Sequence, residues 1–256
     1  MPTMSVERHD RGDVRELRLA RPPANALDPA LVAELRAAVA AAPGEGARAI
    51  VLSGRPGMYS GGLDVPALLG LDRAAMTVFL GEFLDLLRAL ALSEIPTVAA
   101  ITGHAPAGGA VLAIHCDHRV MAAGDFRIGL NEVRVGIPLP QSLHSVLVRV
   151  VGRRQAERLG VRGLLVSAEE ARAIGLVDEL VAPASVVERA VEIARDYLVL
   201  PPTAMYRTRA LARRDLAAIF AAEQQATWNS FVDDWFSPAT QTALAALVAR
   251  LKSKSA

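Results

Sequence analysis

Twice in its first half the chain runs from a short apolar strand through a glycine pair towards a helix. AIVLSG leads to MYSGGLDVP, with Gly61 and Gly62 paired, and PTVAAI leads to TGHAPAGGAVLAIHC, with Gly108 and Gly109 paired. Strands alternating with helices in this way favour an α/β domain with parallel strands. Glycine tolerates positive φ and lets a ligand approach the backbone. A helix start also collects unpaired N–H groups and the positive end of the helix dipole. Two such loops at one sheet edge can aim two N–H donors at one oxygen, which lowers a barrier by roughly 3–4 kcal/mol per donor. Spacing alone still leaves ordinary turns as the more frequent explanation.

The surrounding pattern supports the α/β reading. Val14 to Leu19 alternates as a strand. Asp28 and Pro29, followed by Leu31, Leu35 and Val39, start a helix. From Arg73 to Leu92 the residues Met76, Phe79, Leu80, Phe83, Leu84, Leu87 and Leu90 keep helical spacing, and Pro96 closes the run. HRVMAA is a further strand, and from about Val186 the chain reads as helical. Its last two amphipathic segments meet at Ser237–Pro238 and carry Phe220, Trp228, Phe231, Trp235 and Phe236. Composition divides evenly between packing of these aromatics on their own domain and burial in a subunit interface.

Composition otherwise works by exclusion. With 256 residues, 52% hydrophobic and 21% charged, the chain can build one large domain, or one domain with an appended piece. A net charge of +1 gives no broad electrostatic case for nucleic acid or a membrane surface. Cys116 is the only cysteine, which forbids an intrachain disulfide. MPTMSVERHD has no basic region followed by an apolar run, and no apolar stretch is long enough to span a bilayer. A cytoplasmic protein is expected.

The chemistry narrows to DFRIGLNEVRVGIPLP. Glu132 sits between apolar residues in a glycine-punctuated stretch. A carboxylate so placed holds its proton more tightly and makes a usable base. The plainer alternative is an exposed glutamate paired with Arg134 or Arg127. His104, His115, Cys116, Asp117 and His118 lack matching ligands elsewhere, so no metal site is expected. Ser60 has no G-x-S-x-G elbow and no histidine partner. His144 is expected on a helix surface, and Asp64 as a helix cap.

PANALD, IVLSG…MYSGGLD, PTVAAITGHAPAGGAVLAIHCDHRVMA, IGLNEVRVGIP and VGRRQAERLGVRGLLVSAEEARAIGLVDELV are collinear over most of the chain. Together they resemble the crotonase (enoyl-CoA hydratase/isomerase) superfamily. Within it, PAGG, IGLNE-x-x-x-GI and the C-terminal segment look most like mitochondrial-type Δ3,Δ2-enoyl-CoA isomerases. The resemblance implies a crotonase-like fold: a core of repeated ββα units over residues 1–196, and a helical oligomerisation region over 197–256. It implies a homotrimer or hexamer, and so tips the aromatic arm towards an interface. It also implies an acyl-CoA thioester substrate, with coenzyme A as part of that substrate and no separate cofactor.

By the same resemblance, N–H groups at Gly61 and Gly108 hold the thioester oxygen. The backbone around Ala24, Asn25, Ala26, Ser60 and Leu63 contacts the adenine and pantetheine portions. Lys252, Lys254 or an arginine stands near the phosphates. The family's hydratases use two glutamates; one position falls on Glu132 and the other on Val111. A single carboxylate can move a proton from C2 to C4 but is a poor basis for holding and activating water. Val111 also dries the pocket. An isomerase is therefore expected. The alternatives are a hydratase, a dienoyl-CoA isomerase, an acyl-CoA hydrolase or an inert acyl-CoA binder.

Overall fold

The computed structural model describes residues 5–222 and 225–255, the side chains of 225–228, 252, 254 and 255 excepted. β1 (Val6–Arg11) and β2 (Val14–Leu19) form an antiparallel hairpin. The sequence shows β2 by its alternation. It hides β1, because VERHDR is an edge strand with mostly exposed charged side chains. Asp28 caps α1 (Pro29–Ala41) by accepting from the Leu31 N–H at 2.8 Å.

Three ββα units follow. The first is β3 (Ala49–Ser53), β4 (Gly57–Met58), α2 (Val65–Leu68) and α3 (Arg73–Ala91), with Asp64 and Asp72 capping the two helices. The second is β5 (Thr97–Ile101), β6 (Gly103–Pro106) and α4 (Gly108–Ile114). The third is β7 (His118–Ala122), β8 (Arg127–Gly129), a 3-10 turn (Glu132–Val135) and α5 (Gln141–Arg162), which kinks at Gly152. The chain continues through β9 (Val166–Ser167), α6 (Ala168–Ala173), β10 (Glu179–Val181) and α7 (Val186–Leu198). It ends in α8 (Pro202–Ala212), α9 (Arg214–Ala222), α10 (Gln225–Trp235) and α11 (Pro238–Ser255).

Each unit gives one strand to each of two sheets. The larger has the order β1-β2-β3-β5-β7-β10 and is parallel beyond the first hairpin; the smaller has the order β4-β6-β8-β9. The crossing from one sheet to the other is tight. A Cβ on Gly103 would stand 2.0 Å from the Gly57 carbonyl carbon, so β6 can pair with β4 only if Gly103 has no side chain.

Val14, Ala49, Val51, Val98, Ala100 and Val120 line the outer face of the large sheet, and α7 covers them with Val186, Ala190, Val191 and Ala194. The main core lies on the other face. Leu216, Phe220, Phe231, Val232, Trp235 and Leu244 belong to it. Phe220, Phe231 and Trp235 are thus taken up by their own chain, with Trp235 fully buried, while Phe236 packs on the same core partly exposed. The Trp228 side chain lies outside the described ones. α10 packs on α3, and α11 packs on α2 and the 3-10 turn. None of the described helices is long and apolar enough to cross a membrane.

Candidate active site

The first loop is assembled by buried polar groups. Asn25 takes a left-handed φ of 49°, which its short polar side chain tolerates. Its Oδ1 accepts from the Arg21 N–H, and its Nδ2 donates to the carbonyls of Met58 and Tyr59. Ser60 Oγ donates to the Asn25 carbonyl at 2.8 Å and accepts from the Gly62 N–H. Arg21 pairs with Asp28 at 3.0 Å and Asp64 at 2.7 Å, joining the caps of α1 and α2. Asn25 and Ser60 are both fully buried, so they build the loop, whereas Ala24, Ala26 and Leu63 remain partly exposed.

The Gly61 N–H donates to the Ala24 carbonyl at 2.7 Å. It is therefore not free to hold a substrate oxygen, which corrects the expectation from the sequence. Two residues on, the short parallel bridge between Leu27 and Leu63 uses the Gly62 carbonyl and the Asp64 N–H. That leaves the Leu63 N–H with no acceptor among the described residues.

Gly108 opens α4. The first bond of that turn is Val111 N–H to the Ala107 carbonyl at 3.0 Å, so the N–H groups of Gly108, Gly109 and Ala110 come before the ladder begins. Ala107 enters the turn at φ 47° and ψ −121°, an unusual conformation for a non-glycine residue. The two loops touch. A Cβ on Gly108 would lie 3.1 Å from Gly62 Cα and 2.9 Å from Leu27 Cδ1. The contact brings Gly108 beside the loop that carries Leu63.

Glu132 is the first residue of the 3-10 turn. The residue is partly exposed, yet its Oε2 is shut off from solvent and has no partner among the described residues. Burial pushes its pKa up to about 7, opposed only by its own backbone N–H. Neither arginine suggested as a partner reaches it. Arg134 Nε donates to the Gly163 carbonyl at 2.6 Å, and Arg127 pairs with Asp125. Val111 is buried on α4 and offers no polar atom.

The remaining titratable groups are structural. His115 Nδ1–H donates to the Val111 carbonyl at 2.6 Å, and burial lowers its pKa to about 4, keeping it neutral. Burial pushes the Cys116 thiol up to about 12. His104 Nδ1 accepts from the Arg127 N–H, and His144 is exposed on α5. No group of three or more metal-ligating side chains gathers among the described residues. Asp117, set aside in the sequence as part of a false metal cluster, pairs with Arg209 and Arg213 at 2.8 and 2.9 Å. Those partners lie far along the chain, and no local signal announces them.

Comparison with known proteins bears on the same residues. The enoyl-CoA hydratase/isomerase family model matches residues 10–243. The human mitochondrial enoyl-CoA delta isomerase 1 is 31% identical over 97% of this chain and 83% of that protein. A probable enoyl-CoA hydratase of Mycobacterium avium is 35% identical over 80% of this chain and 78% of that protein. The crystal structure of the human mitochondrial Δ3,Δ2-enoyl-CoA isomerase superposes with a TM-score of 0.93 at 30% identity, covering 99% of this chain and all of that one. The chain belongs to the crotonase, or enoyl-CoA hydratase/isomerase, family.

Proposed function

We propose that the protein is a Δ3,Δ2-enoyl-CoA isomerase in which Glu132 is the one acid/base. The observation that carries this reading is a single sequestered, unpaired carboxyl on the 3-10 turn, with Val111 where a second carboxylate would stand. The N–H groups of Leu63 and Gly108 are the proposed donors to the thioester oxygen. Ionised Glu132 removes a proton from C2 of a 3-enoyl thioester. The released electron pair spreads into a dienolate whose oxygen the two donors stabilise. The carboxylic acid just formed returns the proton to C4, leaving the double bond between C2 and C3. The proton balance closes on one residue and no water is consumed. A pKa near 7 suits both halves of the cycle, because ionised and protonated forms are then nearly equal in energy.

Coenzyme A arrives as part of the substrate. Ala24, Ala26 and Leu63 supply the partly exposed backbone it would follow, while Asn25 and Ser60 hold that backbone in shape. The side chains of Lys252 and Lys254 lie outside the described ones. A homotrimer or a hexamer is the assembly we infer from the family resemblance, and sedimentation of the purified chain tests it.

Identity does not separate isomerase from hydratase, since relatives named as each match at similar levels. A paired assay does. Wild type should conjugate 3-enoyl-CoA esters, read by ultraviolet absorbance, and Glu132→Gln should lose at least about 10³-fold in kcat. Brisk loss of conjugation from 2-enoyl-CoA with wild type would instead favour the hydratase.

A further inference from the structure

Thr240 opens the C-terminal helix and lies 2% exposed, although nothing in its sequence neighbourhood, SPATQTAL, suggests chemistry. Its Oγ1 donates to the Gly136 carbonyl at 2.8 Å. Gly136 is the residue that ends the Glu132 turn, in the left-handed region at φ 78°. The peptide between Gly136 and Ile137 then carries the contact onward, because the Ile137 N–H donates to the Glu132 carbonyl at 3.2 Å. One chain of hydrogen bonds therefore runs from the Thr240 hydroxyl, through one peptide, to the backbone of Glu132.

The hydroxyl is itself held. Ser237 Oγ donates to Thr240 Oγ1 at 3.0 Å and accepts from the Thr240 N–H. Gln241 Nε2 donates to the Trp235 carbonyl, fixing the corner between α10 and α11. Contact with the turn is close: a Cβ on Gly136 would stand 3.1 Å from Thr240 Oγ1. Polar chains of this kind polarise along their length and lose orientation when one member goes. Among the described residues neither nearby arginine competes for the carboxyl, since Arg134 on the same turn is turned to the Gly163 carbonyl and Arg127 pairs with Asp125.

We propose that Thr240 is a positioning residue, through which the C-terminal helix sets the orientation of Glu132 and keeps water from its carboxyl. The proposal rests on the isomerase reading for its kinetic readout, and on the fold alone for its spectroscopic one. Three chains are compared: wild type, Thr240→Val and Thr240→Ser. Conjugation of 3-enoyl-CoA gives kcat and KM. The Glu132 carboxyl is titrated by carbon-13 NMR of glutamate-labelled protein, its signal assigned by its loss in Glu132→Gln.

Thr240→Val should lower kcat about 5- to 20-fold with KM within twofold, and should move the Glu132 midpoint towards the ordinary carboxylate value. Thr240→Ser keeps the hydroxyl and should match wild type in both. Wild-type kcat and midpoint in Thr240→Val overturn the proposal. So does equal impairment of the Val and Ser variants, which would make the methyl group the cause. If Thr240→Val fails to fold, Thr240→Ala, which also lacks the hydroxyl, is read in its place by the same criterion. If wild type itself does not isomerise, the functional reading fails, while a midpoint moved in Val and not in Ser still supports Thr240.

Discussion

At neutral pH a carboxyl with a pKa of about 7 is divided between its two forms, and Glu132 reaches that state by burial without a partner. Two consequences differ in sign. Proton abstraction needs the ionised form, so kcat should fall tenfold per unit as pH drops below about 7. Stability moves the other way. The unfolded value is 4.5 and the folded value about 7, so the folded chain binds this proton more tightly. That contribution is complete below pH 4.5 and is lost as pH rises through 7. Glu132→Gln should then be more stable than wild type at pH 8, by on the order of 2–3 kcal/mol, and close to it at pH 4.5. Urea unfolding at the two pH values checks this; equal stability at both would mean that the carboxyl is solvated. The residues around Glu132 alone left an exposed, arginine-paired glutamate as the plainer reading, because the helices that pack its turn, α5 and α11, come from later segments. Gly61 misled because the fate of an N–H in SGGLD depends on an acceptor, the Ala24 carbonyl, in a different segment.

The two glycine loops form one device, and their contact is where substitutions should act. Gly62 combines a φ of 86° with a would-be Cβ 2.9 Å from Ala107 Cβ and 3.0 Å from Gly108 N. Gly62→Ala must part the loops, and with them the donors proposed at Leu63 and Gly108. Loss of about 10²-fold or more in kcat is expected, with KM less affected. A kcat within threefold of wild type would show that the loops do not act together. Ala107 poses the opposite case. An Ala→Gly change ordinarily costs about 0.5–1 kcal/mol, but the φ of 47° here stores about 1–3 kcal/mol. Ala107→Gly should therefore leave the thermal midpoint unchanged or raised. The large-sheet strands of these units were readable as short runs of mostly buried apolar residues, whereas Gly57–Met58, Gly103–Pro106 and Arg127–Gly129 are too short and too mixed to show a pattern. The run LARRDLAAIFAAEQQATWNSFVDDWF read as one helical segment, but its first two residues close α8, which is capped at Arg213 before α9 begins. Amphipathic spacing reports which faces are apolar and is silent about which partner they meet.

Across the whole molecule, the C-terminal helices are clamped to the core by charge as well as by apolar packing. Arg209 and Arg213 both reach Asp117, and Arg213 also donates to the carbonyls of Ala91 and His115, where α3 and α4 end. Burial raises the pKa of Asp117, but the two guanidinium groups and the Thr97 N–H outweigh it and hold the carboxyl below its usual range. The resulting stabilisation is present above the ordinary value of 3.8 and is lost as pH falls through the lowered one. Removing the anion while keeping both cations leaves buried positive charge uncompensated. Asp117→Asn should thus cost about 3–5 kcal/mol. Where that cost appears tests whether the chain divides near residue 196. Trp228 and Trp235, the only two tryptophans, both lie in α10, so fluorescence follows the C-terminal helices while circular dichroism follows the whole chain. Because Phe220, Phe231 and Trp235 share the main core, the two signals should coincide in wild type and shift together in Asp117→Asn. A fluorescence transition that precedes the dichroism in wild type would make residues 197–256 a separately folding region. An early transition in the variant alone would make the Asp117 clamp the element that joins them.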